Sequence, residues 1–368
     1  MTAPSKKSKK KKKKSGGTRP ALHTVTVLAL LAGSAYFTYA LRTEEQAKTP
    51  AVHVVADRNG AGGITAGSNG AQKWERLQSP ARSVLRDGSG QVLATFTDSA
   101  RTATLTGPSR TFGEPANTTS RVVTENWVRL MPEAWKQGAE NQQWFKDWFK
   151  KYYGSSEDDV FATAFQYVDK APVKKDAQGT PFAGDASFGP LNPTGSEGND
   201  LRLEQSDFYD YLGKPYTFRN GVTKQPQPAR YRAIDCSGFV RTVFGYRARY
   251  PLMPDDTPGA GLPRTANGIA RSALGADVIP LKGTGPEHRP ASIDVIQPGD
   301  LVFFKLDART KDRLDHTGIY LGTDSDGHNI FISSREEANG PTIGDKGGAS
   351  RLDGNGYYAT TLRSVKRL

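Results

Sequence analysis

Cys236 is the only cysteine among 368 residues. It sits in Asp235-Cys236-Ser237-Gly238-Phe239-Val240, 80 residues ahead of the histidine in Asp315-His316-Thr317-Gly318-Ile319-Tyr320-Leu321-Gly322. A lone cysteine has no intrachain disulfide partner and cannot build a cysteine-rich metal site. The chemistry open to it is nucleophilic: thiolate attack, with a histidine lowering the thiol pKa and taking its proton. The bland counterpart is a small buried apolar residue, so the flanking residues must decide. His288 and His328 stand in polar loops containing Gly or Pro and read as surface residues.

Such a pair needs rigid elements to carry it. Residues 232–246 suit a helix with Cys236 near its first turn, where the positive helix end favours a thiolate. Leu201 to Leu212 reads as a short amphipathic helix ended by Gly213. Leu301–Phe304, Thr317–Leu321 and Ile330–Ile332 read as strands. A nucleophile helix followed by antiparallel strands predicts an α+β domain. Asp315, adjacent to His316 on a strand, points to the opposite face and is discounted as its partner.

Four segments of this region resemble the NlpC/P60 peptidases, papain-like cell-wall hydrolases. Leu212-Gly213-Lys214-Pro215-Tyr216-Thr217-Phe218 is similar to the family's leading G-x-P-Y segment, and Asp235 to Val240 to its nucleophile motif. Leu262-Pro263-Arg264-Thr265-Ala266 resembles its L-P-R element. Gln297-Pro298-Gly299-Asp300-Leu301-Val302-Phe303-Phe304, with His316 to Gly322, is similar to its central strand pair. The resemblance covers about residues 201–335. It implies Cys236 as nucleophile and His316 as general base and then acid. It also implies that Tyr216 lines the cleft and that Asp235 and Ser237 hold the amino end of a short stem peptide. Arg264 and Asp300 look structural. The family orients its histidine with a third polar group on the next strand; here that place falls on Ser333, a neutral and short substitute. Residues 245–295 are longer than the family's connection and are expected to border the cleft. The Gly-rich stretch 340–356 is expected beside the site.

The rest of the chain sets the context. The formal net charge is +12, but residues 1–20 hold nine cations and no acid. Without them 41 Lys and Arg face 38 Asp and Glu, so no nucleic-acid groove is required. Residues 21–41 carry no formal charge, and at about 1.5 Å per residue they span a bilayer core. This predicts a cytoplasmic polybasic tail (1–20), a single-pass transmembrane anchor (21–41) and a body outside the cell membrane; a cleaved signal sequence, giving a secreted protein, is the alternative. Residues 42–75 read as a flexible stalk and 76–170 as a small accessory module containing two Thr-rich strands and a helix over 134–153. Residues 171–200 read as a linker, and 201–368 as the catalytic domain. The Trp-rich helix of the module reads as docking its aromatic face on its own core, with a sugar platform the lesser alternative.

The functional expectation is an extracytoplasmic cysteine endopeptidase or amidase. It would hydrolyse peptidoglycan stem peptides in a bacterium through a thioester on Cys236, with no metal or organic cofactor implied. The alternatives are a catalytically inactive envelope scaffold or binding protein, or a same-fold acyltransferase or amidase acting on a lipid or protein. Occlusion of the site by 76–170 is a further expectation.

Overall fold

Thr-rich and β-branched runs separated by turn residues generate the first sheet of the chain. The computed structural model describes residues 55–56, 72–190 and 205–368. Strands β1 (Val55–Ala56), β2 (Lys73–Leu77), β3 (Arg82–Arg86), β4 (Val92–Thr97), β5 (Thr102–Gly113) and β6 (Arg121–Leu130) form this sheet. It is antiparallel, in the order β1-β5-β4-β3-β2 with β6 on β5. Gly107-Pro108 lies inside β5 and does not end it. The ladder to β6 shifts register between Thr106 and Arg110 and resumes, since Pro108 has no N–H to give it.

Helix α1 (Gln143–Tyr152) is shorter than the expected 134–153. Gly138 adopts a left-handed conformation, and only a 3-10 turn separates it from α1. Phe145 and Trp148 of α1 pack with Phe96 and Trp135 in one aromatic core. The Trp-rich face is therefore core.

Asp159 caps α2 (Val160–Ala164), accepting from Ala162 N–H at 2.9 Å. Its carboxylate also takes Val128 N–H at 2.8 Å and the Arg110 guanidinium, so one buried acid ties β5, β6 and α2 together. Two short hairpins, β7 (Lys174–Lys175) with β8 (Pro181–Ala183) and β9 (Tyr216–Thr217) with β10 (Thr223–Lys224), flank helix α3 (Phe208–Leu212). Helix α4 (Cys236–Val240) runs into π-helical geometry over Arg241–Arg247, and α5 spans Ala266–Arg271.

The second sheet holds β11 (Ala276–Ile279), β12 (Leu301–Phe304), β13 (His316–Thr323), β14 (Asn329–Arg335), β15 (Gly340–Thr342) and β16 (Leu362–Arg367). All its pairs are antiparallel, in the order β11-β16-β12-β13-β14-β15. Helix α6 (Tyr357–Thr361) precedes β16, and α4 packs on β13 and β14. The α+β expectation for this region therefore matches the observed architecture.

The described residues belong to one compact unit, Ala51–Leu368. Phe112, Val122, Phe161 and Phe165 share a core with Phe239, Ile319 and Ile332. Ala171, Ala183 and Ala186, inside the stretch read as a linker, lie in that core as well. The packing runs on across 171–186 because β6 and α2 bury apolar faces that the first sheet alone leaves open. Residues 191–200 of that stretch lie outside the described residues, as do the tail 1–20, the expected span 21–41 and most of the stalk 42–75. Among the described residues no helix is long and apolar enough to cross a membrane.

Removing one partner of a buried ion pair strands the other charge. Asp159→Ala is expected to lower unfolding stability by about 3 kcal/mol or more, measured by urea denaturation. A loss below about 1 kcal/mol, the scale of a lost cap alone, would show that the Arg110 pair contributes nothing.

Candidate active site

Asp235 shapes the turn that presents Cys236. Its backbone is extended (φ −80°, ψ −172°) and its side chain caps α4, accepting Gly238 N–H at 2.7 Å. The same carboxylate accepts Ser206 N–H at 2.9 Å and pairs with Arg264 at 2.5 Å. Gly238 is needed for close approach: a Cβ there would stand 2.2 Å from Ser206 O. Cys236 is thus the first residue of a capped helix, where backbone N–H groups have no intrahelical acceptor.

Asp235 and Ser237, which the family resemblance assigns to substrate, are instead fully buried structural groups. Ser237 Oγ accepts from Arg264 at 2.7 Å and donates to the Arg264 carbonyl at 2.9 Å. Burial and saturated hydrogen bonding leave neither free to hold a peptide amine. Beside them Arg241 pairs with Asp207, the cap of α3, and donates to the Leu262 and Pro263 carbonyls at 2.7 and 3.0 Å. The Leu262-Pro263-Arg264 element is therefore bolted to both helix starts.

His316 opens β13 opposite Phe304. Its Nε2 lies 3.0 Å from Ser333 Oγ on β14, so the predicted third residue does meet the ring. Behind Ser333 stands Arg335, whose Nε donates to Ser333 Oγ at 3.0 Å. The Arg335 guanidinium also donates to the carbonyls of Gly344 (3.0 Å) and Gly348 (2.6 Å) and to Ser350 Oγ (2.5 Å). The stretch 340–356 thus lies beside the site as expected. Tyr358 of α6 completes the surround: its ring centre is 5.4 Å from that of His316 and 4.5 Å from the Arg335 guanidinium.

Burial, and second the Arg335 charge, push His316 down to about 3. Burial pushes the Tyr358 phenol up to about 12, with Arg335 opposing and Cys236 adding to the rise. Tyr358 therefore lies in contact with the His316 ring and within electrostatic reach of Cys236. A cleft of about 680 Å³ opens here, lined by His316, Arg335, Glu336, Glu337, Tyr357 and Tyr358 among others. Its described lining comes from Phe188 and residues 306–358. Cys236 itself is 2% exposed.

Tyr216 is not brought to this cleft. It packs edge-on against Phe208 (4.7 Å) and Phe218 (4.9 Å) and lines a different hollow with Tyr246. Leu252, from the long 245–295 connection, lines that second hollow too. Asp315 stands just before β13 rather than on it, lines the same cleft as His316, and serves as a turn residue that accepts from Leu306 and Asp307 N–H. Asp300 takes Gln297 N–H at 2.8 Å and pairs with Arg367, a structural role as expected. Arg335 and Tyr358 escaped the sequence reading. Period-two alternation places Phe331, Ser333 and Arg335 on one strand face, which could have flagged Arg335. Among the described residues no three His, Cys, Asp or Glu side chains converge as a metal site.

The sign of the His316 shift sets its pH behaviour. The folded protein takes up this proton only near pH 3, the unfolded chain near 6.5. Between these values the unfolded state binds more protons, so stability falls as pH drops, by up to about 1.4 kcal/mol per pH unit. Arg335→Gln is expected to raise the His316 pKa, though not to 6.5, because burial persists. An NMR titration of the imidazole reads this, and an unmoved pKa would remove Arg335 as a cause.

Residues 213–362 match the NlpC/P60 family model. Two solved structures are similar. One is an NlpC/P60 family protein from Bacillus cereus ATCC 10987, 20% identical over 37% of this chain and 32% of that one, with a TM-score of 0.23. The other is described as similar to a lipoprotein of the NLP/P60 family, from Staphylococcus aureus subsp. aureus Mu50. It is 21% identical over 43% of this chain and 38% of that one, also with a TM-score of 0.23. The chain therefore spans only about a third of the length of these structures. No curated protein matches it. The segment that presents Cys236, His316, Ser333 and Arg335 thus lies within the stretch that matches the NlpC/P60 family model.

Proposed function

We propose that the NlpC/P60 domain is a cysteine hydrolase that cuts a peptide or amide bond of peptidoglycan stem peptides. The hydrogen bond between His316 Nε2 and Ser333 Oγ carries the reading. A serine hydroxyl has two acceptor positions; Arg335 occupies one, and Nε2–H can take the other. In that tautomer Nδ1 is the free base. A neutral imidazole, the form favoured by burial, is the form that accepts the thiol proton.

The Cys236 sulfur attacks the carbonyl carbon, and the tetrahedral oxyanion is met by backbone N–H groups at the start of α4. The imidazolium returns its proton to the leaving amine, and a thioester remains. Water, deprotonated by His316, then releases the acid and restores the thiol. An exported, membrane-anchored location is part of the proposal and rests on the sequence of residues 1–45 alone.

One observation favours a second reading, an inactive envelope scaffold. The Arg335 guanidinium opposes the imidazolium that the reaction must form. The two readings separate in one experiment. The full chain is incubated with purified muropeptides beside Cys236→Ala, products are read by mass spectrometry, and Cys236 is challenged with a thiol-directed acylating probe. The hydrolase predicts a cleaved stem peptide absent from the Cys236→Ala sample. Neither product nor labelling would establish the scaffold. Ser333→Ala is expected to lower kcat at least tenfold with little change in KM, since the residue orients the base rather than binding substrate.

A further inference from the structure

The second hollow, about 520 Å³, lies at the far end of the nucleophile helix. Tyr246 is ten residues from Cys236, about 15 Å along the axis at helical rise. Its chemistry differs from that of the His316 cleft. Arg219 and Arg249 line it, both exposed, and among the described residues neither guanidinium has an ion-pair or hydrogen-bond partner. Arg101 stands over the ring of Tyr250, 4.8 Å from its centre, and feels the charge of Arg219. Arg247, also in the lining, is engaged with Gln166 and Tyr167. The one acid of the described lining, Asp176, accepts Gln178 and Thr180 N–H at 3.0 and 2.7 Å; its single negative charge, which Tyr246 feels, faces the three arginines 219, 247 and 249. The hollow therefore carries uncompensated positive charge.

Two further observations indicate a built site. The helix passes into π geometry over Arg241–Arg247, a rare arrangement that is frequent at functional sites. Arg249 then holds φ at +63°, a strained conformation for a residue with a Cβ. It is pinned there by Ala248 N–H on Val243 O (3.0 Å) and Tyr250 N–H on Phe244 O (2.8 Å). Tyr216 and Tyr246 line the same hollow, half-buried, with hydroxyls that have no hydrogen-bond partner among the described residues. Guanidinium forks match carboxylate and phosphate oxygens, while tyrosine rings and hydroxyls suit a polyhydroxylated ring.

We propose that this hollow binds an acidic saccharide, a sugar ring bearing a phosphate or carboxylate, with Arg219 and Arg249 on the anion and Tyr216 and Tyr246 on the ring. This does not rest on the hydrolase reading. Calorimetric titration of the full chain with glucose 6-phosphate, glucuronate, glucose and inorganic phosphate tests it. Residues 1–20 attract anions as well, so the decisive comparison is with Arg219→Gln/Arg249→Asn, in which Asn tolerates the left-handed backbone. At least one sugar acid is expected to bind at least tenfold tighter than glucose and than inorganic phosphate. The double variant is expected to lose at least tenfold with an unchanged Tm. Binding of either acid supports the proposal and names the anion. Equal affinity in the double variant, no binding, or inorganic phosphate binding as tightly as the sugar acids would overturn it.

Discussion

The structure around Cys236 depends on one buried carboxylate. Asp235 is 1% exposed and must keep its charge compensated there, since an unpaired buried charge costs several kcal/mol. Arg264 supplies the counter-charge, while Gly238 and Ser206 N–H supply hydrogen bonds. Each bond fixes a different segment: the 262–264 element, the first turn of α4, and the chain entering α3. Asp207 repeats the arrangement with Arg241 one step away. The position of Cys236 is therefore over-determined by charge neutralisation rather than by apolar packing alone, and both ion pairs draw on the same 262–264 segment.

Behind His316 the usual order of charges is inverted. A histidine acting as a base is ordinarily oriented by a group that welcomes the imidazolium. Here the orienting Ser333 is itself held by a cation. Arg335 can occupy that place because carbonyls of 344–348, Ser350 and the Tyr358 ring disperse its charge. In the hydrolase reading the resting state is then thiol and neutral imidazole, and the ion pair forms only as the thiol ionises. The thiolate's own negative charge must offset Arg335 for the proton transfer to proceed.

The sequence made parts of this arrangement legible and hid others for physical reasons. Cys236 and His316 stood out because their flanks repeat a local geometry: an Asp cap, a Gly where Ser206 O approaches, a strand starting at the histidine. Ser333 could be placed by counting along β14. Asp235 and Ser237 were misassigned because proximity in sequence to the nucleophile says nothing about burial. Tyr216 was misplaced for a related reason. A short motif fixes local backbone but not which hollow its side chain faces. Arg335 and Tyr358 come from a strand end and a late helix, and only the tertiary fold brings them to His316.

The limits of the accessory module were the hardest to read because its strands serve two cores. Phe96 and Leu105 face the Trp cluster, while Phe112, Val122 and Val128 face the core beneath α4. Composition alone cannot show that one hairpin divides its apolar residues this way. The seam shows in Pro298-Gly299-Asp300. Gly299 holds φ at +98°, and a Cβ there would stand 2.5 Å from Val128 of β6. Asp300 pairs with Arg367, which also donates to Thr97 of β4. Glu114, pushed upward by burial, caps the far edge by accepting from Thr342 Oγ1 and Ile343 N–H, and Thr342 faces Ser333 across the ladder. The turn that leads into the central strand pair is thus fitted to the first sheet. A fragment beginning near residue 201 would leave an apolar face, Arg367 and Thr342 without these partners, so the segment that carries Cys236 is packed as part of one unit with the first sheet.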